Sequence, residues 1–482
     1  MSSIVGLQGK VKAQDIIKML KVTKSRGPDS SGIYFGDIFT DIDLDDFDCS
    51  EDYPISLGHN LLSVYDSNGR ISKSCPISNE KLILVFDGVL YNFNTIKNLL
   101  GKVGVREEIS SDSDAVLYLI DFYNNGDLLK AIESATRLLD GDYAFAVWDG
   151  ENIALARDPL GVKPMFYAKS DKMCGFASSK QALYEVGFRE VESLKPENIL
   201  FNWNDIHPSQ YLYEKIIEGD VGKIDNLLKI SVSKRVQELQ HIGVIFSGGI
   251  DSSYLALLLK KISQNIPIKI TLYAVGVEGS KDIEAAIKAS KSINLELKVC
   301  TITEDMIRDN LEKVVKAIGD NNLMKIGVGL TTYFATKMVA QDGIKVAISG
   351  QGADELFGGY HRYLKSFVDD TLNYDLRQDI SNMYHVNLER DDACSMINSV
   401  ELRLPFLDKT LVELVLNIPD NKKIVSMHDE MRKSILRKLA FEEGLDYEIA
   451  YRPKKAAQYG TGIDKLLRKK ILKDVDISKF LN

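Results

Sequence analysis

The residues best suited to chemistry lie in IFSGGIDSSYLALLL, where an apolar segment ends in small polar residues and runs into a helical pattern. Glycines let the backbone approach a ligand closely, and N–H groups at a helix N-terminus attract anions. Asp251 adds a carboxylate that suits a Mg²⁺ ion on phosphate oxygens. The alternative, a tight strand-to-helix turn capped by serine or aspartate, is less favoured. The pattern predicts a phosphate or pyrophosphate site that includes Ser247, Gly248, Gly249, Asp251, Ser252 and Ser253.

A second segment of this kind is KVAISGQGADELFGGYHRY, in which another apolar run ends at Ser349 and Gly350. In a parallel α/β sheet, ligands bind beyond the carboxyl ends of the strands, so the two turns are expected to face one pocket. Asp354 would then share a Mg²⁺ ion with Asp251. An ordinary glycine-rich loop would leave the adjacent acid pair, Asp354 and Glu355, unexplained.

The elements around these turns divide the chain into two parts. The first 200 residues or so contain many short apolar segments between turn signals, a pattern that predicts an α+β domain rich in sheet. From about residue 217, strands alternate with amphipathic helices, which is typical of βαβ units in a doubly wound α/β domain. The boundary is predicted near residue 210, between domains spanning residues 1–210 and 211–482.

Composition narrows the range of functions. The net charge is −9, and the sequence lacks the clusters of Lys and Arg that are typical of a nucleic-acid-binding protein. Five cysteines without a C-x-x-C pair, and six scattered histidines, indicate neither a disulfide framework nor a zinc site. No apolar stretch of about 18 residues could span a bilayer, and no signal peptide is evident. We expect a cytoplasmic enzyme that acts on small molecules.

Taken together, the motifs resemble the asparagine synthetase family. The resemblance continues at YAVG with Asp282, at SVELRLPFLD and at RPKKAAQYG, and in the first half at RGPD, LDG and ARDPLG. It implies an N-terminal class II glutamine amidotransferase domain with the layered sheets of an Ntn-hydrolase fold. It also implies an ATP-pyrophosphatase (PP-loop) synthetase domain after it.

The resemblance further implies a ligase that uses ATP and Mg²⁺ to activate the side-chain carboxylate of aspartate as an acyl-adenylate. Pyrophosphate leaves, and ammonia then displaces AMP to give asparagine. On the family pattern, Lys454 adds a cation to the phosphates and Glu355 is a candidate catalytic residue. The same pattern places Ile245 and Val275, with the Ser247–Ser253 and Ser349–Gly350 turns, in the ATP site. Gln351 stands where many members carry glutamate; an amide cannot accept a proton, but it can orient a substrate. Arg390 and Arg403 are candidate carboxylate or phosphate anchors, with structural ion pairs as the alternative.

The first domain departs from the family at its glutamine site. The nucleophilic cysteine expected after removal of Met1 is Ser2, and the arginine expected to bind the glutamine carboxylate is Leu61. The expected oxyanion-hole asparagine is Asp87, whose ionised carboxylate would repel a developing oxyanion. Gly88 and Asp112 match the family and could still hold the glutamine amine. The pattern predicts a domain that keeps its fold and has lost, or nearly lost, glutamine hydrolysis.

Several alternatives stay open at this level. The nitrogen donor is expected to be free ammonia or a separate protein that supplies it, but Ser2 could instead serve a glutamine-dependent synthetase. The chain could also be an amide or lactam synthetase for another carboxylate, or a silent homologue whose first domain is an interaction platform. A homodimer is compatible with the sequence.

Overall fold

A computed structural model describes residues 2–47, 52–67, 70–208, 221–453, 460–473 and 475–481. Its helices, in chain order, are α1 (Ala13–Thr23), α2 (Phe93–Lys102), α3 (Asp112–Tyr123), α4 (Leu128–Leu138), α5 (Lys180–Glu185), α6 (Val221–Val236), α7 (Ile250–Ile262), α8 (Lys281–Ile293), α9 (Glu304–Ile318), α10 (Leu323–Gln341), α11 (Ala353–Phe357), α12 (Tyr363–Val368), α13 (Leu372–Met383), α14 (Glu389–Met396), α15 (Lys409–Leu416), α16 (Asp420–Lys423), α17 (Ser434–Glu442), α18 (Tyr447–Ala450) and α19 (Ile463–Lys469). A π-helical turn, Tyr384–Leu388, precedes α14, and short 3-10 turns lie at Lys24–Arg26, Pro405–Leu407, Ile471–Lys473 and Ile477–Leu481.

The strands, in chain order, are β1 (Ser2–Lys12), β2 (Ser30–Phe35), β3 (Asp37–Phe39), β4 (Asp52–Leu61), β5 (Asp66–Ser67), β6 (Arg70–Ile71), β7 (Ile77–Ser78), β8 (Ile83–Leu90), β9 (Gly141–Trp148), β10 (Ile153–Arg157), β11 (Phe166–Lys169), β12 (Met173–Ala177), β13 (Glu192–Ser193), β14 (Asn198–Phe201), β15 (Asp205–Pro208), β16 (His241–Ile245), β17 (Lys269–Gly276), β18 (Glu296–Thr301), β19 (Val346–Ile348) and β20 (Glu401–Arg403). The chain folds into two compact units. The predicted boundary near residue 210 lies outside the described residues and stays a prediction.

The first unit is α+β and is built on two antiparallel sheets. A seven-stranded sheet has the order β13-β11-β12-β1-β4-β2-β3, and a six-stranded sheet has the order β15-β14-β10-β9-β8-β7. Successive side chains of β1 point to opposite faces, so Ile4 packs in a core shared by the two sheets and Val5 packs in a second core with α1 and α5. This layered arrangement confirms the predicted Ntn-hydrolase-like fold.

One segment of the first unit comes from far along the chain. Tyr384–Ser399, which contains the π-helical turn and α14, packs with the N-terminal residues. The prediction of two consecutive domains did not include this excursion, because local periodicity carries no information about which unit a short helix packs against.

The second unit contains a five-stranded sheet in the order β18-β17-β16-β19-β20, and its strand pairs are parallel. Val244 in β16 lies between Leu272 of β17 and Ile348 of β19, and these three side chains are buried. Parallel strands need a crossover connection, which α7, α8 and α10 provide along the chain. The predicted doubly wound α/β fold is confirmed. Within the described ranges, no helix is long and apolar enough to cross a membrane.

A buried lysine in the second unit gives a stability prediction. Lys423 in α16 is 0% exposed, and its ammonium lies 3.8 Å from Asp420. Burial lowers the pKa of Lys423 to about 8. Lys423 therefore binds its proton more tightly in the unfolded chain than in the folded protein. Below pH 8, the charged ammonium destabilises the folded state by about 3 kcal/mol. That penalty disappears as the pH rises toward the unfolded value.

Lys423→Met is therefore expected to stabilise the protein at pH 7 by about 1–3 kcal/mol, and the gain should shrink between pH 8 and pH 10. Urea unfolding of both proteins across this pH range measures the difference. A Met variant that is less stable at pH 7 would show that the ammonium forms a favourable interaction.

Candidate active site

The first glycine turn lies between β16 and α7. The Ser247 N–H donates to Ser252 Oγ at 3.2 Å, and the Gly249 N–H donates to Ser247 Oγ at 3.3 Å, so the serine hydroxyls shape the turn. Gly248 has a positive φ of 65°, and a Cβ there would lie 2.4 Å from the backbone of Ala285 in α8. Glycine is required at this position by both conformation and space. The fully buried Ser253 Oγ has no hydrogen-bond partner among the described residues.

The second glycine turn meets the first, as the sequence predicted. A Cβ built on Gly350 would lie 3.0 Å from Asp251 Cβ, so the turns that follow β16 and β19 are in direct contact. The backbone N–H of Ser349 donates to the carbonyl of Arg403 at 3.1 Å, which ties the second turn to the end of β20. Adjacent parallel strands thus bring the predicted residues to one edge of the sheet.

A lysine that the sequence did not single out lies between the two predicted metal ligands. The Lys433 ammonium is 2.6 Å from Asp251 Oδ1 and 2.6 Å from Asp354 Oδ1, and the side chain is 0% exposed. A Cβ on Gly359 would lie 1.9 Å from Asp354 Oδ1 and 2.3 Å from Lys433 Cε. Glycine at this position therefore leaves room for the ion pair. Lys433 is separated from both carboxylates in sequence and belongs to none of the motifs quoted above.

The carboxylates of Asp251 and Asp354 are the candidate ligands for Mg²⁺. Within the described ranges, no group of three or more His, Cys, Asp or Glu residues could hold a metal ion by itself. Mg²⁺ in nucleotide sites is usually held by one or two carboxylates together with substrate phosphates. Asp251 and Asp354 fit that donor set, with Lys433 as a fixed positive charge beside it.

Glu355 follows Asp354 in the short helix α11 and is 3% exposed. Tyr360 Oη donates to Glu355 Oε1 at 2.6 Å. Burial, together with the neighbouring Asp354 charge, raises the pKa of Glu355 to about 6. The carboxylate is thus positioned by a phenol.

The remaining residues predicted for the synthetase site have different locations. Val275 lies in the buried strand β17, and Gln351 follows the Ser349–Gly350 turn with a half-buried side chain. Lys454 lies outside the described residues. Just before it, Arg452 Nη1 donates to the Gly248 carbonyl at 3.4 Å and ties this part of the chain to the first turn.

The two candidate anchor arginines are engaged in internal contacts. Arg390 belongs to the first unit, where its Nε donates to Asp391 Oδ1 at 2.8 Å. Arg403 is 0% exposed; its Nε donates to Glu401 Oε1 at 2.8 Å and its Nη1 to the Arg235 carbonyl at 2.5 Å. These contacts favour the structural alternative for both arginines, because each guanidinium is already held by a carboxylate.

In the first unit, three of the altered glutamine-site residues are brought together. Ser2 lies opposite Leu61 in the antiparallel pair of β1 and β4, and its backbone nitrogen donates to Asp87 Oδ1 at 2.9 Å. Asp87 is 0% exposed and also lies 3.5 Å from Arg26 Nη2. Burial raises the pKa of Asp87, although Arg26 and Lys163 act in the opposite direction. The described contacts thus surround Asp87 with hydrogen-bond donors.

The remaining two glutamine-site residues lie farther along β8 and at the start of α3. Gly88 follows Asp87 in β8, and a Cβ there would lie 2.5 Å from the Asp142 carbonyl. Asp112 is 8% exposed, and both of its carboxylate oxygens lie 2.8 Å from Arg70 Nη2. The Arg70 guanidinium stacks over Tyr65 at 4.0 Å. A cation of the chain itself therefore binds the carboxylate predicted to hold the glutamine amine.

The fold and these sites define an amidotransferase-like unit joined to a PP-loop synthetase unit. The family model for asparagine synthase matches residues 223–373 and 367–476, and that for the glutamine amidotransferase domain matches residues 1–236. A putative asparagine synthetase [glutamine-hydrolyzing] 1 of Methanocaldococcus jannaschii is 36% identical over 97% of this chain and 94% of its own length. Asparagine synthetase B [glutamine-hydrolyzing] of Escherichia coli is 25% identical over 92% of this chain and 79% of its own length. The chain belongs to the asparagine synthetase family and is an enzyme of that type.

Proposed function

We propose that this protein is an ATP-dependent, AMP-forming asparagine synthetase that takes its nitrogen from ammonia and does not hydrolyse glutamine at an appreciable rate. The family gives the reaction class, and the two glycine turns in contact support adenylation chemistry. The contacts of Asp87 and Asp112 are the observation that supports ammonia, and not glutamine, as the nitrogen donor.

In the first step, an oxygen of the aspartate side-chain carboxylate attacks the α-phosphorus of ATP, and the bond to pyrophosphate breaks. Negative charge develops on the leaving pyrophosphate, so backbone N–H groups of residues 247–253 and the positive N-terminus of α7 stabilise it. Lys433 places a buried ammonium beside this turn. Asp251 and Asp354 would hold Mg²⁺, which neutralises phosphate charge when it is bound.

In the second step, the ammonia nitrogen attacks the acyl carbon, AMP leaves with the bonding electron pair, and the nitrogen loses a proton to water or to a second ammonia molecule. Gln351 has no basic group, so its role here is to orient substrate by hydrogen bonds. Neutral ammonia brings its own lone pair and does not need the glutamine-binding machinery of the first unit.

Two features of the first unit argue against glutamine as the donor. If Met1 is removed, the new amine at Ser2 would lie beside the Asp87 carboxylate, which favours its charged form, and a charged amine cannot accept the Ser2 hydroxyl proton. Both oxygens of the Asp112 carboxylate are paired with Arg70, so the α-ammonium of glutamine would have to compete with a cation of the chain itself.

Pyrophosphate release from ATP and Mg²⁺ tests the proposal. Four mixtures are compared: aspartate with ammonium, aspartate with glutamine, ammonium alone and aspartate alone. We expect rapid release and asparagine formation only with aspartate and ammonium. Equal rates with glutamine would contradict the proposed donor, and release that does not depend on aspartate would show that aspartate is not the carboxylate that is activated. No release under any condition would favour a silent homologue.

A further inference from the structure

Arg26 holds two carboxylates that are remote from each other in the chain. Its Nη1 donates to Asp392 Oδ2 at 2.5 Å and its Nη2 to Asp392 Oδ1 at 3.3 Å, while Nη2 also lies 3.5 Å from Asp87 Oδ2. Arg26 is 5% exposed and Asp392 is 7% exposed. Charge-assisted pairs with such geometry fix both position and orientation. The cluster thus ties α14, which carries Asp392, to strand β8.

The chemistry of position 87 suits this ionic role better than the family's asparagine would. Asp87 Oδ1 accepts from the Ser2 N–H at 2.9 Å, and Oδ2 faces Ser178 Oγ at 3.4 Å as well as Arg26. A carboxylate accepts at both oxygens, whereas an amide would turn an NH₂ group toward one set of donors. Aspartate in place of asparagine at position 87 therefore removes an oxyanion donor and completes a buried ion-pair cluster.

Other contacts hold the same segment, Tyr384–Ser399, along its length. Ser193 Oγ donates to Glu389 Oε1, and Glu389 also lies 3.7 Å from Arg157. Met396 packs on Leu62. Ser399 Oγ donates to the carbonyl of Ser25, the residue before Arg26, at 2.6 Å. The first unit therefore holds the segment up to its last residue.

The segment then leads directly into the synthetase sheet. Only Val400 separates Ser399 from β20, and β20 pairs with β19 in parallel register. At the end of β20, the carbonyl of Arg403 accepts the hydrogen bond from the N–H of Ser349 in the second glycine turn. The segment is therefore connected to the second glycine turn through a few residues of continuous chain.

We propose that Asp87, Arg26 and Asp392 are positioning residues for the synthetase reaction, which hold Tyr384–Ser399 and thereby fix β20 and the Ser349–Gly350 turn. The effect on catalysis rests on the proposed synthetase function, whereas the effect on the segment does not. The first unit then serves as a scaffold for the ATP site in place of a source of ammonia.

Hydrogen–deuterium exchange on the full chain tests the first part. Asp87→Asn keeps the side-chain size, and Asp392→Asn removes the stronger pair. We expect about tenfold faster exchange in residues 384–399 in both variants, and a smaller acceleration in residues 346–350. Asp121→Asn, which removes an ion pair with Lys81 in the same unit, is the matched control and should leave both regions unchanged. Unchanged exchange in residues 384–399 would overturn the proposal.

Kinetics test the second part. Asp392→Asn should raise the KM for ATP about tenfold in the assay with aspartate and ammonium. Arg26→Lys should raise this KM less, because it retains a positive charge beside Asp392. Ile132→Val, a mild core substitution in α4, controls for lost stability and should leave the KM for ATP unchanged. Faster exchange in residues 384–399 with a wild-type KM would show that the segment is merely structural. If the wild-type protein makes no asparagine, the proposed function fails, while exchange still decides whether the cluster holds the segment.

Discussion

Lys433→Met is expected to reduce pyrophosphate release with aspartate and ammonium by about 100- to 1,000-fold, the usual loss when one preorganised charge partner is removed from an active site. The Lys433 ammonium lies 2.6 Å from both Asp251 and Asp354, and its removal leaves two carboxylates facing each other without a cation. Their mutual repulsion should move them apart, so the pyrophosphate site loses a positive charge and its geometry together.

The matched control for this variant is Lys423→Met. Both lysines are 0% exposed and belong to the second unit, but the ion pair of Lys423 is with Asp420. Its variant should retain activity within about twofold, since it lies outside the carboxylate pair. Circular dichroism and the melting temperature establish that both variants are folded. A folded Lys433→Met protein with nearly normal activity would remove Lys433 from the site.

The sequence was sufficient for the parts of the fold that local patterns encode. Strand-to-helix alternation predicted the parallel sheet, and the two glycine turns predicted that both would face one pocket at its edge. In the structure, Gly350 lies against Asp251. Both inferences depend on a rule that holds for any such sheet, because adjacent parallel strands place their carboxyl ends together. For this reason they needed no knowledge of long-range packing.

Three of the contacts that the sequence could not supply are long-range ion pairs. Lys433 joins carboxylates from two separate turns, and Arg70 of β6 reaches Asp112 at the start of α3. The pairing of Arg26 with Asp392 spans most of the chain. A lysine or arginine has the same local signature whether it is solvated or buried on a carboxylate, so periodicity and motif spacing do not distinguish these roles.

The second large effect concerns glutamine. The wild-type protein is expected to release glutamate from glutamine at least about 1,000-fold more slowly than it forms asparagine with ammonium, because the oxyanion position carries a carboxylate and the amine site is filled. Labelled glutamine and intact mass spectrometry of the purified protein measure this rate and establish whether Met1 has been removed. Substantial glutamate release that disappears in Ser2→Ala would contradict the expectation.

Restoring the family residues at the glutamine site should show how much of the loss of glutamine hydrolysis is due to Arg70. The triple variant Ser2→Cys, Leu61→Arg and Asp87→Asn supplies a thiol, a carboxylate clamp and an oxyanion donor. It is still expected to hydrolyse glutamine poorly, because Arg70 keeps both oxygens of Asp112. Adding Arg70→Ala should increase glutamate release at least about tenfold over the triple variant, the range expected when a charged hydrogen-bond site becomes available.

Arg70→Lys in the same background is the control, since an ammonium would keep Asp112 paired and should give no increase. Hydrolysis by the triple variant alone at a rate close to that of asparagine formation would show that the pairing of Arg70 with Asp112 opens readily for substrate. Equal rates of glutamate release with Arg70→Ala and with Arg70→Lys would instead show that Asp87 and its neighbours limit glutamine hydrolysis. In that case Arg26, which would keep only Asp392 as a partner, is the next residue to change, because its guanidinium lies 3.5 Å from the position where the oxyanion donor must act.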